Sequence, residues 1–561
     1  MNLKASFNNC LLVFVTMNLL QSYFSPILQD EALYWNFAQH LDWGYFDHPP
    51  MVALLVKIGG LFFSRTLGVR LMTVLLMGVL VKIIWNFIPL HQRKKKHAPL
   101  LYFGILFSIP ACNVYSFVTT PDVPLLFFSG LYLMAFLKFT KKNNTKHLLF
   151  LGIAAALLLY SKYHGALVIF LTVLYQPKLL KKRNTYIAGL VAILLLLPHL
   201  YWQYKHDFIS VQYHLFERSK VGFESSNVLG AFFGFVGILN PGFVIVLATS
   251  LRKNNKIYKR DFSLMFRLFI GYLTFFLLYS FRSRPEAHWV AFAMIPMAVL
   301  LFNLAISNPK ARKKIQHIAL VSSLLLFSVR LLIAFQIPIA SEFQKEKNTF
   351  FEAISKLAGD RKVVFLNSYQ RASKFNYYTN KQAVSVNTAK SRQNQFDLWA
   401  FESESHNKPI LLVKKKGAPL FDSIQTNTGA WIFYREIEHF PRFNATIGRL
   451  KNKTPLVFYR DKPGTTNISI QNPTSFVLDF QRKDFPYTLS FLLTKNKTHY
   501  KIPLHYKNPN KILEKTTEKL SVGWNLKKEK IPKGDYALYL MLGSKNLYDQ
   551  KISKSVSVRI Q

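Results

Sequence analysis

The sequence predicts a polytopic α-helical membrane protein of about eleven transmembrane helices, followed by a carboxyl-terminal extracytoplasmic α/β plus β-sandwich region. Three observations predict it. Mean hydropathy is +0.14 although 18% of the residues are charged, so the apolar residues must be concentrated. They form runs near the ~20 residues that cross a ~30 Å hydrocarbon core, and the runs fall in the first three-fifths of the 561 residues. The 72 Lys and Arg outnumber 28 Asp and Glu, and much of that excess sits in short loops between apolar runs. This is the charge pattern of membrane topology. It excludes a nucleic-acid groove, a single soluble globule and a disordered chain. Cys10 and Cys112 both lie in apolar segments, so neither a disulfide framework nor a cysteine metal site is available.

The first run, Leu11 to Leu20, follows Lys4 in the manner of a signal peptide. No small-x-small cleavage site follows it, and it reads as an uncleaved first span. The expected spans are 8–28, 66–90, 98–117, 123–139, 147–160, 165–177, 185–202, 228–250, 262–281, 289–307 and 318–337. Alternate connections are rich in Lys and Arg: 91–97, 138–146, 178–183, 252–260 and 310–314. The other set, 29–65, 118–122, 161–164, 203–227 and 282–288, holds most of the acids of this region. The positive-inside rule puts the basic set in the cytoplasm, and an odd number of spans then puts the chain from about 340 outside.

Beyond 340 the apolar runs shorten. A helical start, Glu342 to Leu357, and a β-branched strand, Lys362 to Leu366, give an α/β subdomain over 340–450. Alternating segments such as Thr474 to Phe480 and Ser555 to Ile560 give a β-rich domain over 451–561.

Chemistry-bearing residues cluster on the outer side. The first outer connection carries Asp30-Glu31 and then Phe46-Asp47-His48-Pro49-Pro50 among Trp35, Trp43 and Tyr45. An interfacial aromatic belt explains the aromatics, whereas ionisable groups beside a bilayer are by default functional candidates. Asp122 in Thr120-Pro121-Asp122 reads equally as a helix-capping acid or a site acid. Lys162 either snorkels to headgroups or holds a phosphate as a point charge. Arg282 and Arg284, beside Glu286 and His288, run against the cytoplasmic bias and suggest an anion site. His199, His206 and His214 flank an outer loop, where scattered histidines are by default structural. No zinc-ligand spacing appears, and no cofactor is required by the motifs.

Taken together, Asp30-Glu31-Ala32-Leu33-Tyr34-Trp35, Gly44-Tyr45-Phe46-Asp47-His48-Pro49-Pro50, Gly68-Val69-Arg70-Leu71, Thr120-Pro121-Asp122-Val123-Pro124, Ser161-Lys162-Tyr163, His206-Asp207-Phe208 and Pro285-Glu286-Ala287-His288-Trp289 resemble bacterial glycosyltransferase family 39. This superfamily includes the protein O-mannosyltransferases and the lipid A aminoarabinose transferase. The likeness spans about 1–400, with Asn367-Ser368-Tyr369-Gln370 and Asn394 to Trp399 in the outer region. It implies a GT-C catalytic domain over 1–339 and a bacterial inner-membrane location. It further implies a sugar donor on a polyprenyl phosphate and an acceptor that is a lipid, glycan or protein; nucleic acid is not a partner. Acids in such enzymes match Asp30, ending the first span, and Asp122, in the second outer loop. The aminoarabinose transferase has acid-Lys-Pro where this chain has Asp47-His48-Pro49. Either a protonated His48 or another cation such as Lys162 must therefore meet the phosphate. Asp30 is the candidate base, and Asp47, His48 and Asp122 complete the catalytic candidates. Glu31, Lys162, Arg282, Arg284, Glu286 and His288 are the substrate-binding candidates. A transporter, or a lipid-linked glycan ligase or polymerase, is the competing class. Transporters place charge near the midplane of repeated halves, whereas here it gathers at one surface without a repeat.

Overall fold

The structure, a computed structural model, describes residues 3–218, 223–253, 262–337, 348–389, 391–399, 405–427, 429–443, 445–450, 456–495, 498–507, 511–526, 531–544 and 547–561. The chain divides into two compact units, Met1–Lys345 and Glu346–Gln561.

The first unit is helical. Its most enclosed segment is Ala287–Ser307, a 3₁₀ turn continued by the helix Met294–Ser307, in which every residue from Met294 to Ala305 is buried. A helix apolar on all sides belongs inside the bundle. The equally apolar Pro309–Ala334 is buried over only 11% of its hydrophobic window, which leaves its sides for lipid.

Among the described residues, five helices are long and apolar enough to cross a membrane: Arg65–Phe87, Asp122–Lys141, Arg183–Lys205, Ala287–Ser307 and Pro309–Ala334. Two bent pairs raise the number to seven, and five further apolar helices are shorter. The expected spans at 147–160 and 165–177 are two of these short ones, Thr145–Ser161 and Gly165–Tyr175. The sequence predicts continuous spans over 98–117 and 228–250; both are broken at prolines. The first divides into Ala98–Phe107 and Pro110–Tyr115. The second turns by 94° between Leu239 and Pro241, with Asn240 at φ +76°. Proline lacks the N–H that would continue the ladder and readily begins the next helix. Much of the expected basic loop 252–260 lies outside the described residues.

The stretch 29–65, read as an outer loop, is largely helical. The chain leaves Leu3–Phe24, bends by 90° past Pro26 and enters Gln29–Gln39, followed by Met51–Gly60. The second of these is apolar, but both are too short to announce a span by hydropathy.

The second unit contains a five-stranded sheet of order β2-β1-β3-β5-β4. Its strands are β1 (Lys362–Leu366), β2 (Val384–Val386), β3 (Ile410–Lys414), β4 (Asp422–Gln425) and β5 (Trp431–Ile437). β1 pairs parallel with β2 and β3, while β5 runs antiparallel to β3 and β4. The helix Asn348–Ala358 precedes β1; residues 342–347 of the expected helix lie outside the described residues. A six-stranded and a four-stranded sheet follow. They face each other through Phe458, Phe491 and Trp524, whose ring centroids lie 4.2–6.0 Å apart. Gly448 provides a close approach: a Cβ there would lie 2.7 Å from Leu540.

Candidate active site

The site is built where helix starts meet loops on one side of the first unit. Asp122 is the first residue of the helix Asp122–Lys141, where the aligned peptide dipoles favour a carboxylate. Lys162 ends the helix Thr145–Ser161. Lys162 Nζ donates to Asp122 Oδ1 at 2.7 Å, with the two residues only 5% and 3% exposed. The capping reading and the site reading of Asp122 thus meet in one residue. Lys162 is too enclosed to be a headgroup-snorkelling side chain.

Around this ion pair gather Asp47 and His48, whose side chains approach to 3.9 Å. His48 lies within electrostatic reach of Lys162, His214 and Asp122, and His288 within reach of Asp122, Lys162 and Arg218. Burial dominates at His48 and pushes its pKa down to about 4 against the raising effect of Asp47. Of the two alternatives left by the sequence, a protonated His48 or Lys162, burial weighs against the imidazolium.

The loop carrying Asp47 and His48 is clamped from below. Trp202 Nε1 donates to Asp42 Oδ2 at 2.8 Å, and His199 Nδ1 donates to the Trp43 carbonyl at 2.7 Å. His214 Nε2 donates to the Asp47 carbonyl at 2.9 Å, and Ser210 Oγ to that of Tyr45 at 3.0 Å. Gly44 is required by this clamp, since a Cβ there would sit 2.4 Å from the Trp202 ring. His199 and His214 are therefore structural donors, in keeping with the default reading.

Glu31, expected at substrate, lies elsewhere. It is fully buried and accepts four hydrogen bonds: Arg70 Nε at 2.7 Å, Arg70 Nη2 at 2.5 Å, Leu28 N–H at 2.9 Å and Thr119 N–H at 2.9 Å. Arg70, also fully buried, spends its remaining donors on the carbonyls of Ser22, Ser25 and Pro26. The pair is a satisfied polar knot with no lone pair left for a ligand. Asp30, one residue earlier in the same first helical turn, is exposed instead.

Arg282 and Arg284 are exposed and form no ion pair among the described residues. The arginine brought to the cluster is Arg218, which sequence reasoning missed. Its Nη2 lies 3.2 Å from Glu286 Oε1, and its guanidinium lies 4.6 Å over the Trp289 ring. The signal that singled out Arg282 and Arg284, a cation on the outer side, applied equally to Arg218 in 203–227. Among the described residues no group of three or more His, Cys, Asp or Glu is placed to hold a metal ion.

A buried acid–lysine pair, a half-enclosed arginine and two imidazoles thus lie together in the first unit, and cations in such a setting suit an anionic ligand. Comparison with known proteins finds partial likenesses. Residues 47–202 match the dolichyl-phosphate-mannose-protein mannosyltransferase family model, a stretch that contains Asp47, His48, Asp122 and Lys162. The chain is 26% identical over 222 residues to the lipid A galacturonosyltransferase RgtD of Rhizobium johnstonii, covering 38% of this chain and 46% of that one. The match thus spans about half the length of the relative. The fold is similar to that of ArnT from Cupriavidus metallidurans in the apo state, with a TM-score of 0.52 at 12% identity over 76% of this chain and 98% of that one. The ArnT structure bound to undecaprenyl phosphate gives the same TM-score over 97% of its chain. These likenesses, a family-model match over part of the first unit and a fold similar to that of ArnT, agree with the motif resemblance to the GT-C glycosyltransferases.

Proposed function

We propose that this protein is an integral membrane glycosyltransferase that moves a sugar from a polyprenyl-phosphate donor to an acceptor hydroxyl at the outer face of a bacterial inner membrane, with inversion at the anomeric carbon. The buried Asp122–Lys162 pair within the family-matched segment carries this reading. In one displacement, the acceptor oxygen bonds to the anomeric carbon as the bond from that carbon to the phosphate oxygen breaks. The acceptor proton passes to Asp30, an exposed carboxylate in a helix first turn. Charge developing on the departing polyprenyl phosphate is met by Lys162, turned from Asp122, and by Arg218. His48 and His288 supply ring N–H donors to the same group. The donor type agrees with the undecaprenyl phosphate bound by the ArnT neighbour, and lipid A is the acceptor class named for the relative RgtD. The second unit lies outside the cytoplasm on this reading.

Mass spectrometry of lipid A and envelope glycans from a deletion strain tests the assignment: loss of one sugar-bearing species, restored by the wild-type gene and not by Asp30→Asn, is expected. In purified protein Asp30→Asn should abolish transfer while leaving donor affinity largely intact, because a base acts only in the chemical step. Near-parental turnover would remove Asp30 from the mechanism.

A further inference from the structure

The second unit carries its own signal, independent of the transfer chemistry. Over residues 346–561 there are 37 Lys and Arg against 17 Asp and Glu. Among the described residues of this unit, seven large apolar side chains are exposed, and three of them, Leu420, Ile424 and Trp431, fall within twelve residues of chain. Ile424 lies on the edge strand β4, which is exposed along its whole length, Leu420 in the turn before it, and Trp431 at the start of the neighbouring β5, opposite Gln425 and therefore on the other face from Ile424.

The local backbone is unusual. Phe421 N–H donates to the Ala418 carbonyl at 3.2 Å, closing a turn with Pro419 second and Leu420 third. Leu420 sits at φ +69°, in the place that glycine takes in a type II turn. A leucine adopts that conformation at a steric cost, and here the cost leaves its side chain 61% exposed. Ile424 and Trp431 are 46% and 51% exposed. Immediately before the turn stand Lys414, Lys415 and Lys416; Lys414 Nζ lies 5.5 Å over the Phe421 ring and the other two are exposed. Asp422 is the only acid between 414 and 431.

Exposed apolar side chains at an open sheet edge invite aggregation, and natural sheets cover or charge such edges. An exposed Trp, two aliphatic side chains and a lysine run form the composition of an interfacial membrane contact. We propose that the 415–425 edge with Trp431 seats edge-on at the bilayer surface, the apolar side chains that flank the edge on both faces entering the interface and Lys415 and Lys416 meeting anionic lipid headgroups. Charge complementarity selects this occupant. The occupant is also always at hand, because the unit follows the lipid-facing helix Pro309–Ala334 along the same chain.

The test uses the full chain in vesicles containing no other protein. Spin labels on cysteines introduced by Leu420→Cys or Trp431→Cys, with Lys462→Cys as an exposed reference, are read for collision with oxygen, which partitions into lipid, and with a water-soluble nickel chelate. In phosphatidylcholine–phosphatidylglycerol vesicles, nickel access at 420 and 431 should be several-fold lower than at 462, with oxygen access raised. The substitutions Lys415→Glu and Lys416→Glu together should return nickel access toward the reference. Nickel access at 420 and 431 equal to that at 462 would overturn the proposal. So would the same protection in detergent, which would mean a contact with protein, or in pure phosphatidylcholine, which would remove the headgroup charge from the account.

Discussion

Lys162 and Asp122 are 40 residues apart and meet at 2.7 Å, so neither can be changed alone without stranding a buried charge. Lys162→Met should cost stability by about 3–5 kcal/mol and abolish transfer. The double variant Asp122→Asn, Lys162→Met should recover much of the stability and none of the activity. Thermal melts and single-turnover assays on the same three proteins check this, and recovery of both together would make the pair merely structural. Arg218→Gln should lower turnover by about 10²-fold, the scale of one lost charge-stabilising donor. Arg282→Gln and Arg284→Gln, at exposed positions, should stay near the parent. His48 gives a pH prediction of definite sign. Its folded pKa of about 4 lies below the ordinary 6.5, so on acidification the unfolded chain binds the proton first. The stability this contributes is fully present above 6.5 and is lost as pH falls toward 4, by at most about 3 kcal/mol. In His48→Gln the melting temperature should fall less steeply over that window, and the pH–rate profile between pH 6 and 8 should keep the parental shape. An alkaline limb that disappears in His48→Gln would restore the imidazolium.

At the scale of elements, the Glu31–Arg70 knot joins the end of the first helix, the start of Gln29–Gln39, the helix Arg65–Phe87 and the Thr119 backbone. It fixes Asp30 and the loop leading to Asp122 relative to each other, although it offers no atom to substrate. Lysine cannot reproduce five directed donors. Arg70→Lys should therefore destabilise the protein by about 2–4 kcal/mol, with turnover falling further than donor affinity as the two acids lose register. A melt unchanged from the parent would show the knot to be dispensable. Arg70 stood in the Gly68-Val69-Arg70-Leu71 motif, yet its role was illegible there because its partner lies 39 positions away.

At the scale of the whole molecule, the alternation of basic connections orients the chain, and its prediction concerns the far end. A reporter active only in the cytoplasm, fused after Gln561, should stay silent, and one active only outside should signal; the reverse would invert the topology. The bends at 26–28 and at 240 show how the same apolar content makes something other than a row of straight spans.

By itself the sequence determined the class of molecule. Apolar length, positive-inside charge and the Asp47-His48-Pro49 and Asp122 motifs depend on local composition and order, which a linear reading retains. It also named Asp122 and Lys162, because a charge beside a bilayer is conspicuous wherever it points. The tertiary structure alone decided which of the named groups lie together. It joined Asp122 to Lys162, spent Glu31 on Arg70, left Arg282 and Arg284 in solvent and brought in Arg218. It also buried His48, which lowers its pKa, since burial is a property of what surrounds a side chain and not of the residues beside it in sequence. Hydrogen-bond partners and desolvation are set by distances across the fold, and those distances do not exist until the helices pack.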